Sequence, residues 1–180
     1  PAPGGGLDEQ PGDEVPVPGG EIVVHLETEP SHLNPLIDPE GWRYRITVHM
    51  IHETLIREDP VTSAYVPGLA ERWEVSDDKL TYTFHLRAGV RWHDGAPFSS
   101  RDVAFTFDKI FDPAVRAETA RGTFEPFGCR HETLDDRTFR WDCKKPYFML
   151  PSNLDETPIL PAHAMGVGDL NPHDRNRRPL

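Results

Sequence analysis

No stretch of this 180-residue chain is apolar for long enough to cross a bilayer as a helix, which needs about 20 such residues. No basic-then-apolar leader opens it, so the chain reads as mature, cytosolic or trimmed. Basic residues are outnumbered, 19 Lys and Arg against 30 Asp and Glu. The resulting charge of −11 argues against nucleic acid or an anionic membrane face as the main partner. Cysteine is scarce as well: two residues make no disulfide-dense framework, and without a Cys-x-x-Cys pair they suggest no zinc site. Also missing are a Gly-x-Ser-x-Gly elbow, a phosphate loop and a dinucleotide fingerprint. What remains, 37% hydrophobic and 27% charged, suits a globular protein.

The histidines offer little to catalysis. His49 and His52 stand three apart with Glu53 adjacent, which is neither His-Glu-x-x-His nor His-x-x-Glu-His. Ile51 and Leu55 beside them suit packing, and no metal ligand is assigned. His93-Asp94-Gly95 places its His and Asp side by side on a turn, where Gly95 allows a positive φ and Asp94 accepts backbone N–H groups. No catalytic residue is assigned either, and no cofactor is expected.

Local order is legible in several places. Residues 1–19 are rich in Pro and Gly and carry Asp8, Glu9, Asp13 and Glu14 without a basic residue. Such a segment buries too little apolar surface to offset its ordering entropy, and is expected to be disordered. It is either a processing remnant or a tether. Glu21–Leu26 reads as a strand. Over 41–57, Tyr44, Val48, Ile51 and Leu55 recur at helical spacing and predict an amphipathic helix. Trp73 and Val75 precede a polar turn at Ser76–Lys79. Beyond it Tyr82, Phe84 and Leu86 alternate with Thr83, His85 and Arg87, which predicts a half-buried hairpin. Ser99 and Asp102 form an approximate capping box for a helix over 99–111. Its apolar stripe is Val103, Phe107, Ile110 and Phe111, and Asp112-Pro113 stops it.

Cys129 and Cys143 flank a second hairpin. With Asp135-Asp136-Arg137 as its loop, Leu134 faces Thr138, Glu132 faces Arg140, Arg130 faces Asp142 and the cysteines face each other. Phe139 and Trp141 then point to the core. The geometry fits a cross-strand disulfide, which suits an exported protein; the other reading is a pair of small reduced residues.

Several short motifs, in fixed order and spacing, resemble the family 5 extracellular solute-binding proteins, the dipeptide- and oligopeptide-binding receptors of ABC importers. They are Leu33-Asn34-Pro35, Pro67-Gly68-Leu69-Ala70-Glu71, Trp73–Asp78, Tyr82–Arg87, Trp92-His93-Asp94-Gly95 and Asp102-Val103. The resemblance implies a mixed α/β (α+β) fold: part of the first lobe of a type II, Venus-flytrap binding protein, with antiparallel hairpins packed on helices. Residues 20–166 correspond to the partial lobe, 43–165 to its small subdomain and 167–180 to a polar tail, with the second lobe absent. Family members close two lobes on a peptide or similar solute and then dock on a membrane permease. The implied setting is periplasmic or extracellular, with residues 1–19 as the tether of a lipid anchor.

Ligand contacts carry over from the resemblance to the loop after the Asn-Pro motif: Asp38, Pro39, Glu40 and Trp42. Pro39 and Glu40 replace the relatives' small hydroxyl residues. Trp42 is either an apolar pocket wall or a helix cap. Glu29 maps to the cleft edge, where a carboxylate would suit a cationic ligand group or simply be solvated. Nothing in these residues chooses among a peptide, a nickel complex, haem or a sugar. Two other readings stand beside this one: a metal-dependent enzyme using the histidines, and a surface or regulatory module that reuses the subdomain.

Overall fold

A computed structural model of the protein describes residues 19, 20, 23, 25, 32–37, 41–166, 170 and 171. The strand expected over Glu21–Leu26 lies, apart from Val23 and His25, outside the described residues.

The alternating run read as a half-buried strand is β4 (Thr81–Leu86), with Tyr82, Phe84 and Leu86 buried and the residues between them partly exposed. It pairs antiparallel with β3 (Ala70–Val75), Trp73 opposite Phe84, and on its other side with β6 (Thr138–Asp142), Phe84 opposite Phe139. With β5 (Arg130–Asp135) outside β6, the sheet runs β3-β4-β6-β5, antiparallel throughout. A separate two-stranded ribbon joins β1 (Ile56–Glu58) to β2 (Tyr65–Pro67).

One face of the four-stranded sheet is covered by α2 (Ser100–Phe111), whose Val103, Phe107 and Ile110 are fully buried. Phe107 meets Trp141 edge to face at 4.7 Å, and Trp141 stacks on Phe124 at 5.6 Å. Fully burying a ring of this size contributes about 2–3 kcal/mol. Phe124 ends α3 (Glu118–Phe124), which a 3-10 turn (Glu125–Phe127) follows. Arg121 of α3 donates to the carbonyls of Ile110, Asp112 and Val115, satisfying acceptors that the C-terminus of α2 leaves open. Two short helices follow, α4 (Leu150–Asp155) against β1 and α5 (Ala162–Met165) against α2. Among the described residues no helix is long and apolar enough to cross a membrane.

The capping box forms as expected, with the Asp102 carboxylate accepting the Ser99 amide at 2.9 Å. Two expectations need correction. The helix over 41–57 stops early: α1 (Gly41–Ile46) passes into a π-helical turn (Thr47–Ile51), and the chain is extended from His52 onward. Its backbone is claimed from elsewhere. Glu53 O accepts Ile159 N, Thr54 O accepts Leu69 N, and Leu55 O accepts both Gly68 N and Ala70 N. Leu55 is buried, but from extended backbone rather than from a helix face.

In the second hairpin the register holds at Arg130–Asp142 and Glu132–Arg140, whereas Thr138 faces Asp135 instead of Leu134. Asp135 Oδ1 accepts the Arg137 amide at 2.7 Å and tightens the turn, leaving Leu134 as the extra residue of a bulge. Arg140 bridges Glu132 at 2.7 Å and also takes Asp142 at 2.8 Å, so that carboxylate pairs along its own strand. Cys129 and Cys143 are disulfide-bonded.

Candidate functional site

The π-helical turn and the extended segment after it form one wall of a groove of about 430 Å³; the other comes from the turn around Trp92. That turn is built locally. Trp92 N donates to Ala96 O, Gly95 N to Trp92 O, and Asp94 Oδ1 accepts Ala96 N at 3.0 Å. Gly95 sits at φ 86°, where a side chain would be strained. Apolar lining comes from Val48 and Ile51 on one side and from Leu69, Val90 and Phe98 on the other. The ionisable lining is His52, Glu53, Arg57, Arg91 and His93.

That lining is basic within an acidic protein. Neither Arg57 nor Arg91 has a carboxylate partner among the described residues, and Arg91 Nη1 instead donates to Gly95 O at 2.8 Å. Burial pushes the His52 imidazole down from 6.5 to about 4; the nearby His93 adds to this, and a hydrogen bond to the Ile159 backbone opposes it. His52 is therefore neutral near pH 7. The Trp92 indole N–H is buried without an acceptor among the described residues.

Next to His93, Asp94 Oδ2 lies 2.7 Å from His163 Nε2. This contact first, with the Ala96 amide second, holds the Asp94 carboxyl below its usual range. The pair ties the Trp92 turn to α5. A second tie from α5 runs to α2, where Asp102 Oδ1 accepts Ala162 N at 2.9 Å. Among the described residues no group of three or more His, Cys, Asp or Glu side chains is placed to hold a metal ion.

Of the residues assigned to ligand contact, Glu29, Asp38, Pro39 and Glu40 lie outside the described residues, and Trp42 is placed in α1 by its backbone alone. The motif leading into them is ordered. Asn34 is buried, its Oδ1 accepts Leu36 N at 3.0 Å, and Leu36 and Ile37 enter the core. The basic groove has no counterpart in the sequence analysis, which set His52 on a helix whose Ile51 and Leu55 suit packing and His93 on a turn. Arg57 and Arg91 are distant in the chain, and no local pattern announces that they line one groove.

Residues 64–179 match the family model described as bacterial extracellular solute-binding proteins, family 5 middle, which spans well over half of the chain. The dipeptide-binding protein of Escherichia coli is 40% identical over 94 residues, covering 49% of this chain and 18% of the relative. Among solved structures, the oligopeptide-binding protein AppA of Bacillus subtilis, in complex with a nonapeptide, superposes with a TM-score of 0.73 at 28% identity. It covers 83% of this chain and 30% of AppA. NikZ of Campylobacter jejuni, in complex with Ni(L-His), gives 0.72 at 27% identity, over 86% of this chain and 30% of NikZ. The chain thus spans less than a third of the length of each of these relatives. On the family match and the shared mixed α/β fold, the chain belongs to the family 5 bacterial extracellular solute-binding proteins.

Proposed function

We propose that this chain is part of the first lobe of the substrate-binding component of an ABC importer, which captures peptides or a similar small solute outside the cytoplasmic membrane and delivers them to a permease. The observation that carries this reading is the family match over residues 64–179, on a fold that superposes on peptide-bound AppA. Capture works by closure. A ligand lying between two lobes touches both only when they are shut, so it selects the closed state, and that state docks on the permease. A single partial lobe supplies one face of such a clamp and binds poorly alone. The protein does no bond-making chemistry in this reading, as suits a solute-binding family.

Residues 43–165 form the small subdomain of the lobe, and residues 1–19 tether it to a lipid anchor at the membrane. Glu29, Asp38, Pro39, Glu40 and Trp42 contact the ligand. Peptides are the favoured ligand because the E. coli and B. subtilis relatives are dipeptide- and oligopeptide-binding proteins. Main-chain hydrogen bonds and water-filled side-chain pockets then let one site accept varied sequences.

The test is deletion of the gene in its host, followed by uptake of labelled di- and oligopeptides. Uptake is expected to fall and to return on complementation. Unchanged uptake of every peptide length, with no peptide co-purifying with the protein from the host, overturns the peptide reading.

A further inference from the structure

None of the residues that line the basic groove is among those the family resemblance gives to the main ligand. Its chemistry points elsewhere. In a protein of net charge −11, two guanidinium groups without carboxylate partners among the described residues line one concavity, with Glu53 as the single acid beside them. The same groove is lined by partly exposed hydrocarbon surfaces of Ile51, Val90 and Phe98. A volume of about 430 Å³ lies within the range of small-molecule pockets. Planar guanidinium groups pair with carboxylates through two parallel N–H bonds, whereas an apolar wall gains nothing from a bare inorganic ion.

We propose that this groove is a second binding site that takes a small aliphatic carboxylate, Arg57 and Arg91 holding the carboxylate and Ile51, Val90 and Phe98 its hydrocarbon part. The neutral His52 adds no charge of its own and leaves the arginines to set the sign of the site. Arg91 is already oriented by its bond to Gly95 O, so part of its side-chain entropy is spent before a ligand arrives. Arg57 is exposed on β1 at the groove's lining. The proposal does not rest on the peptide-import reading, since that reading assigns none of these groove residues.

The experiment uses the 180-residue chain and three probes: N-acetyl-L-leucine, its neutral amide N-acetyl-L-leucinamide, and sodium sulfate. Binding is followed through the Trp92 indole N–H resonance, assigned by comparison with Trp92→Phe. N-acetyl-L-leucine is expected to give a saturable shift, the amide to bind at least about tenfold more weakly, and sulfate to bind more weakly than the carboxylate. Arg57→Gln should weaken the carboxylate by about tenfold, and Arg72→Gln, on β3 away from the groove, should not. Equal binding of acid and amide, equal loss in both arginine variants, sulfate binding as tightly as the organic acid, or no saturable shift would each overturn the assignment.

Discussion

Asp102 and Ala162 are 60 residues apart in sequence and joined by one hydrogen bond: Asp102 Oδ1 accepts the Ala162 amide at 2.9 Å while its Oδ2 accepts the Ser99 amide. A single buried carboxylate therefore starts α2 and fastens α5 to it. Asp102→Ala leaves two amides without an acceptor and is expected to cost about 3 kcal/mol, with Asp102→Asn costing roughly half because one acceptor survives. Urea unfolding followed by far-ultraviolet circular dichroism reads the difference. An alanine variant as stable as the parent would show that water replaces both bonds.

Gly68 passes the Thr54–Leu55 backbone so closely that a Cβ there would lie 2.5 Å from Thr54 O and 3.0 Å from Leu55 O. Both contacts are main chain and cannot swing aside. Gly68→Ala should destabilise the fold by about 2–3 kcal/mol through forced backbone movement. Gly122→Ala makes the contrast: it sits in α3 with open space around it, and alanine there should add up to about 1 kcal/mol. Opposite shifts in melting temperature are the expected result.

These two positions also show what the sequence could and could not reveal. The capping box and the Tyr82–Phe84–Leu86 alternation are local patterns, and each specifies its element without help from the rest of the chain. Leu55 continues the helical spacing from Tyr44, yet its carbonyl serves Gly68 and Ala70. That competition is decided by residues well downstream, so periodicity overextended the helix. In the second hairpin, charge pairing located Arg130–Asp142 and Glu132–Arg140 but not the turn, because a bulge at Leu134 absorbs one residue without disturbing the pairs beyond it. The residues proposed to contact the ligand, Glu29, Asp38, Pro39, Glu40 and Trp42, were reached only through resemblance. The basic groove has no linear signature, since its two arginines come together only on folding.

The Cys129–Cys143 bond closes a span of 14 residues around that hairpin. Removing it restores freedom to the unfolded chain, at a cost of about 3 kcal/mol for a loop of this size. A Cys129→Ser/Cys143→Ser double variant should therefore melt lower than the parent. Alkylation of denatured protein should add mass only after reductant treatment. Alkylation to the same mass without reductant would show two free thiols and remove the basis for the stability difference.

His52 sets a stability change distinct from that of the carboxylates. Its folded pKa, about 4, lies below the unfolded 6.5, so the native state resists binding a proton that the unfolded chain takes up readily. Stability is therefore fully present above pH 6.5, falls as pH drops through the window from 6.5 to about 4, and levels off below it. The size of the fall is roughly 3 kcal/mol at most. Asp59, Asp78, Asp94 and Asp135, whose pKa values are lowered from 3.8, contribute stability that is lost only at more acid pH. His52→Gln keeps a donor for the Ile159 carbonyl without an ionisable ring, and should reduce the fall in melting temperature between pH 6.5 and 4 without abolishing it, since burial also lowers the pKa of the His131 imidazole, while leaving the acid limb in place. The C2–H resonance of His52 should titrate near pH 4; a midpoint near 6.5 would mean that the groove floor is wet and the ring is not held neutral.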